Sequence, residues 1–458
     1  MKKRFFWLFS SFLLVTMVAG FGCRGLSTEE QAAVKPTTLQ YWTVHDNVAE
    51  LRTLAEEYKR IRSYVTVNIR QVRYEEFDEL FLNALADDVA PDIISIQARL
   101  LPQYVRRLAY MPPSVDVATI WVEGKYRPET IVTMEKKSMP TVNSIKKDFI
   151  ATVADDVIIN KKIYGLPTAV DTMAIYYNKD LLDNAGIPEP PTTWAEFLDA
   201  VKKTTKFDSE GRIVQSGTAL GSGANVQYVS DILALLFAQN GIPMTVGNTV
   251  TFAQNVEKGG ADSPSMQAIK FYTDFARPTS EAYTWNGDLD NSFDAFVRGK
   301  VVFYFGFSFD YDRIKAQAPQ LNMDVIPLPQ LNEGSPVNVA NYWIQSVVAK
   351  SEHQNEAWDF IRFLTTPENI KKYTDATKQP TPLRAHIEAQ KEDERLLPFV
   401  GTVLNAANWY RGNDIEVANQ TLAEMADRLL EPYGETQNPF ERDRAIIKNA
   451  AAVLQQTM

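Results

Sequence analysis

Thr38-Leu-Gln-Tyr-Trp-Thr-Val44 opens the stretch that decides the fold, and Pro91-Asp-Ile-Ile-Ser-Ile96 closes it. The first run alternates and is rich in β-formers, so it reads as a strand. The helix predicted over Asn47 to Ile61 places Leu51, Leu54, Ala55 and Tyr58 on one stripe, with Asp46 or Asn47 as its cap. Val65 to Val72 is a second strand, and Tyr74 to Asp87 a second helix on Phe77, Leu80, Phe81 and Ala84. The closing run is a short strand with an apolar centre. Strand, helix, strand, helix, strand predicts a parallel sheet covered by helices, an α/β architecture. Ligands of such sheets lie beyond the carboxyl ends of the strands. That places Trp42 to Asp46 and Gln97 to Arg99 beside one crevice.

Outward from this unit, the 458 residues are 45% hydrophobic and 23% charged, which favours two folded domains over one. At the N-terminus, Lys2, Lys3 and Arg4 precede a charge-free apolar run from Phe5 to Gly22, the pattern of an export signal over 1–22. A membrane span is the alternative, but the run is at the short edge of what crosses about 30 Å of hydrocarbon. Cys23 is the only cysteine, so no internal disulfide exists. Residues 23–38 then read as a polar tether. The net charge is −10, or −13 once Lys2, Lys3 and Arg4 leave with the signal. An acidic chain without a dense basic patch is a poor candidate for nucleic acid.

Catalytic and metal motifs are weak. His45, His353 and His386 have no second histidine or cysteine at ligand spacing, so no metal site is expected. Ser308 lies in Gly306-Phe-Ser-Phe309, without the second glycine of a nucleophile elbow. The glycines from Gly217 to Gly223 lack the Lys-Ser/Thr of a phosphate loop. A glycosidase would need only a carboxylate pair about 5–9 Å apart across a sugar; composition alone leaves that open. No cofactor is expected.

Several phrases, in order along the chain, resemble the extracellular solute-binding proteins of ABC importers of the carbohydrate-uptake class. They are Tyr164-Gly-Leu-Pro167, Ile175-Tyr-Tyr-Asn-Lys-Asp-Leu-Leu182, Gly186-Ile-Pro188 and Pro191-Thr-Thr-Trp-Ala-Glu-Phe197. Phe293-Asp-Ala-Phe-Val-Arg-Gly-Lys300, Ile326-Pro-Leu-Pro329, Trp343, Ala357-Trp-Asp-Phe-Ile-Arg-Phe-Leu364 and Thr366-Pro-Glu368 follow. Cys23 resembles a bacterial lipoprotein processing site, although Gly20 stands where leucine is usual. The resemblance implies two α/β lobes of the periplasmic-binding-protein kind, with a ligand cleft between them and several hinge crossings. It implies a first lobe of 39–165 and 292–339, a hinge at 166–171, and a second lobe of 172–291 that resumes, after a hinge, within 340–458. It also implies an extracytoplasmic, lipid-anchored monomer that delivers a sugar to the transmembrane subunits of an ABC permease, without catalysis.

Sugars are held by aromatic rings against their C–H faces and by planar polar groups on their hydroxyls. Loop aromatics with polar neighbours are therefore the candidates: Trp409 and Tyr410, Trp285 with Asn286, and Trp42 with His45 and Asp46. Gln97 and Arg99 leave the third strand, and Phe307 and Ser308 follow the strand ending at Gly306. Tyr342 and Trp343 lie at a crossing, where alanine and asparagine replace the family's glycines. Tyr176 alternates along a strand. A peptide, a polyamine or a phosphorylated polyol would use the same scaffold, and a surface lipoprotein without transport is the alternative from another class.

Overall fold

The computed structural model describes residues 26–125 and 129–458; the expected export signal and Cys23 lie outside the described residues. Two sheets organise the chain. The first has five strands, ordered Val65–Gln71, Thr37–Thr43, Ile93–Gln97, Trp343–Val348 and Leu108–Ala109. Thr37–Thr43 pairs in parallel with both its neighbours, and Trp343–Val348 lies antiparallel to Ile93–Gln97. The helices Val48–Ile61 and Tyr74–Ala86 supply the crossovers, burying Leu51, Leu54, Ala55 and Tyr58, and Phe77, Phe81 and Ala84. Asn47 caps the first through its side-chain oxygen, which accepts from Ala49 N and Glu50 N.

The second sheet is built on Asp171–Asn178, a strand buried along its whole length. Val301–Phe307 pairs antiparallel on one side of it; Met323–Ile326 and Asn338–Asn341 pair on the other. Ile213–Thr218 extends the sheet beyond Val301–Phe307, and Ala406–Ala407 beyond Asn338–Asn341. Thr193 and Glu196 form the expected capping box at the start of Trp194–Thr204.

The ladders correct the lobe composition. Residues 292–339 belong with the second sheet, because Val301–Phe307 and Met323–Ile326 both pair with Asp171–Asn178. Residues 343–377 belong with the first lobe: Trp343–Val348 joins its sheet, and the helices Gln354–Leu364 and Pro367–Thr377 pack on Val48–Ile61. No crossing occurs near Asn291, since the strands on both sides of it, Ile213–Thr218 and Val301–Phe307, are neighbours. One passage lies between Leu166, which bridges Gln345, and Asp171, which pairs with Asn341. A second is at Tyr342. A third runs from Leu383, which bridges Phe149, to Phe399, whose carbonyl accepts the Thr172 hydroxyl.

Two additions decorate the first lobe. Ser114–Glu123 and Glu129–Ser138 form a long antiparallel ribbon. Its base is held by buried Arg62, which donates to Asp359 at 3.0 Å, Glu135 at 3.3 Å and the Ala118 carbonyl at 3.2 Å. Within the expected tether, Thr28–Ala33 forms a helix closed by a Ser27–Glu30 capping box, and the first strand begins at Thr37.

Candidate functional site

The cleft between the lobes is assembled where the first sheet's carboxyl ends meet the second lobe. Parallel pairing of Thr37–Thr43 with its two neighbours delivers His45, Asp46 and Gln97 to one edge. Trp343 lies opposite Gln97 in the ladder. The Trp343 ring stacks on His45 at 4.1 Å with 17° between planes, and Phe309 of the second lobe meets His45 edge-on at 4.5 Å. Burial between these rings lowers the His45 pKa, outweighing Asp46. Gln97 Nε2 donates to Asn341 Oδ1 at 2.6 Å.

On one side of Trp343 is a cavity of about 20 Å³, room for roughly one water, lined by His45, Asp46, Asp171, Phe309 and Tyr342. Asp46 is turned inward, accepting from Thr43 at 2.7 Å and Gln345 at 3.3 Å. Asp171 accepts from Ser308 N and Oγ at 3.0 and 2.7 Å, and from Thr172 N at 2.8 Å. Burial nevertheless pushes its carboxyl up to about 7. On the other side is a groove of about 320 Å³, the size of a small solute. It is bounded by Tyr74, Gln97 and Trp343 of the first lobe and by Asn413 to Glu416 of the second.

Behind these spaces the lobes touch through two polar junctions. Arg99 Nη1 donates to Asp231 Oδ1 at 3.0 Å, Arg99 Nη2 to the Ala340 carbonyl at 3.0 Å, and Trp409 Nε1 to the same Asp231 oxygen at 2.7 Å. The Arg99 guanidinium also lies 5.6 Å from the Trp409 ring centroid. In the second junction Asp156, on the first-lobe helix Ala151–Val157, accepts from Tyr342 at 2.6 Å, Asn408 at 2.5 Å and Arg411 Nε at 2.7 Å.

The structure thus brings His45, Asp46, Gln97, Arg99, Tyr342, Trp343 and Trp409 to the cleft. Ser308 reaches it as a donor to Asp171. Six candidates are elsewhere. Trp285 is enclosed in the second lobe with Nε1 bonded to Asn225 at 2.9 Å, because its indole has an internal partner. Asn286 spends its amide on the Tyr283 hydroxyl in the same turn. Tyr410 is fully buried, donating to the Thr457 carbonyl, and Tyr176 is fully buried, donating to Phe307 O. Phe307 is core, stacked on Phe309. Trp42 is nearly buried under the Arg70 guanidinium. Asp156, Asp231, Phe309 and Tyr74 were not anticipated. Nor was Tyr228, whose φ of 60° and ψ of 26° are costly for a tyrosine, and whose ring meets Phe307 and Phe309 edge-on.

Among the described residues no group of three or more His, Cys, Asp or Glu could hold a metal, and no helix is long and apolar enough to cross a membrane.

The sequence profile of a family described as bacterial extracellular solute-binding protein matches residues 53–394. The chain belongs to that family. This solute-binding protein is 22% identical over 366 residues to the multiple sugar-binding protein of Streptococcus mutans, 78% of each chain. Its fold matches the GacH receptor of Streptomyces glaucescens, solved unliganded and with acarbose, at a TM-score of 0.65 and 20% identity, covering 92% of this chain and 97% of that one. It also matches UgpB of Mycobacterium tuberculosis, solved with glycerophosphocholine, at a TM-score of 0.67 and 15% identity, covering 92% and 98%. These likenesses give the two-lobe α/β fold that the sequence implied.

Proposed function

We propose that this solute-binding protein captures a sugar or oligosaccharide between its lobes and hands it, unchanged, to the transmembrane subunits of an ABC importer. It acts as a monomer outside the cytoplasm, held to the membrane by lipid on Cys23. The carrying observation is Trp343. One indole borders both the groove and the hinge cavity, is backed by His45, and lies beside the planar amide of Gln97. That is the stacking surface and paired hydrogen-bonding group a pyranose needs. A solute touching both lobes favours the closed arrangement by its differential affinity for it, and the passages at 166–171 and Tyr342 act as hinges.

An anionic solute is a weaker fit. The arginines about the cleft already face carboxylates: Arg99 against Asp231, Arg411 against Asp156 and Arg313 against Asp310. A glycerophosphodiester would have to displace one of them. The test is isothermal titration with mono- and oligosaccharides beside glycerophosphocholine, peptides and polyamines. Saturable binding of a sugar, weakened in Trp343→Ala, is expected; binding of glycerophosphocholine alone overturns the sugar reading. For the anchor, Cys23→Ser is expected to move the protein from membrane to soluble fractions, and unchanged partitioning refutes the lipid.

A further inference from the structure

Two helix N-termini face each other across the groove. The first-lobe helix Tyr74–Ala86 begins with Glu75 and Glu76 and carries Asp78 one turn in. The second-lobe helix Ile415–Leu430 is capped by Asp414 and begins with Glu416. Glu75, Asp78, Asp414 and Glu416 all border the groove, and no lysine or arginine borders it with them. Each set suits its own helix dipole, which explains the acids singly but not their opposition. Like charges on facing lobes resist closure. The cations around the groove are engaged: Arg73 with Glu76 at 3.2 Å, Arg99 with Asp231, and Arg107 Nη1 with the Gln103 carbonyl.

The opposition registers on the groups themselves. Burial, then Glu416 from across the groove, pushes the Tyr74 hydroxyl up to about 12. Burial raises the Asp78 carboxyl, with Asp414 adding from the other lobe against the Gln103 bond and Arg107. A second observation is independent of charge. Ser95, fully buried in the strand Ile93–Gln97, borders the groove, and its hydroxyl has no hydrogen-bond partner. A buried hydroxyl is ordinarily paired, so an unpaired polar group lies at the groove floor. The acids are too dispersed for a metal ion, whereas the space of about 320 Å³ suits an ammonium carried on a solute of monosaccharide size.

We infer that the groove end of the cleft selects solutes bearing a protonated amine: an amino sugar or a polyhydroxylated amine, its ammonium between Glu75 or Asp78 of one lobe and Asp414 or Glu416 of the other. The inference rests on the cleft being the capture site and narrows what it captures. With the amine in place the facing acids become a clamp, so solute charge and lobe closure are coupled.

The test is calorimetric titration of the protein with matched pairs: glucosamine, galactosamine and mannosamine against glucose, galactose and mannose, with 1-deoxynojirimycin as a cyclic polyhydroxylated amine. At least one amine is expected to bind about tenfold or more tighter than its neutral partner, as charge-assisted hydrogen bonds require. The margin shrinks with salt, and in the double variant Glu75→Gln, Asp414→Asn the amine-to-neutral ratio falls towards one. Equal affinities, or tighter neutral sugars, overturn the inference while leaving sugar capture standing. If no amine binds, the inference fails, and the neutral sugars alone then decide whether the cleft is a sugar site. Without solute, small-angle scattering of the same variant is expected to show a compactness less dependent on salt; unchanged salt dependence removes the premise of facing charges.

Discussion

Arg99 and Asp231 meet at 3.0 Å across the two lobes, both buried, and the Asp231 oxygen that takes the guanidinium also takes the Trp409 indole NH. Their residues come from different sheets' surroundings, so the pair exists only while the lobes are together. Removing one member of a buried ion pair costs about 3–5 kcal/mol when its partner stays buried. Here the stranded partner regains water if the lobes part. Asp231→Asn, which keeps an acceptor for Trp409, is therefore expected to open the protein rather than unfold it. The radius of gyration should rise and solute affinity fall about tenfold, equivalent to roughly 1.4 kcal/mol. An unchanged radius of gyration with a lowered melting temperature would place the pair in a static core instead.

The second junction should be energetically coupled. Asp156 is buried and accepts from three donors, while the Arg411 side chain is 37% exposed. That exposure screens the charge–charge part. A double-mutant cycle of Asp156→Asn and Arg411→Met is expected to give about 1 kcal/mol of coupling. Additivity within error contradicts the junction.

Two tryptophans should behave oppositely. Trp285→Ala opens a cavity in the second lobe and is expected to cost about 3–5 kcal/mol of stability. Trp343→Ala removes a half-buried ring and is expected to cost about 1–3 kcal/mol in solute binding. Chemical denaturation and titration of both variants separate the outcomes. A binding defect in folded Trp285→Ala would return that residue to the site.

The hinge cavity carries a pH dependence. The folded-state pKa of His45 is lowered, chiefly by burial. Its contribution is complete above the unfolded value of about 6.5 and is lost as pH falls below it, because the unfolded chain takes the proton first. Asp171 has the opposite sign: burial raises it to about 7, so its contribution is complete below about 3.9 and is lost as pH rises through about 7. Denaturation from pH 4 to 8 should show the acid-side loss diminished in His45→Gln. An identical profile in that variant would mean that His45 does not titrate with folding.

What could be read from the sequence was whatever a local period encodes. The strands and helices from Thr38 to Ile96 follow from side-chain spacing alone, and the capping box at Thr193 and Glu196 from two residues. Lobe membership was not legible in this way. Val301–Phe307 is buried at every position, so its pattern fits the middle of either sheet, and its partner Asp171–Asn178 lies over a hundred residues away. Trp285 and Tyr410 looked exposed because Asn286, Gly287, Asn408 and Arg411 surround them in sequence. Their polar atoms are instead satisfied by Asn225 and Thr457, far along the chain. A usable signal for the missed residues did exist. Asp231 is the one charged residue of the largely buried helix Val229–Gln239, and a carboxylate among buried residues demands a partner.

The most direct test of the central claim is a thermal-shift titration of the protein and of Trp343→Ala against the panel of sugars, amino sugars, glycerophosphocholine, peptides and polyamines. A ligand that binds only the folded protein must raise its apparent stability. A concentration-dependent rise with a sugar or amino sugar, lost in Trp343→Ala, is the predicted result. A rise confined to peptides, polyamines or glycerophosphocholine, or a sugar response that survives in Trp343→Ala, would contradict it.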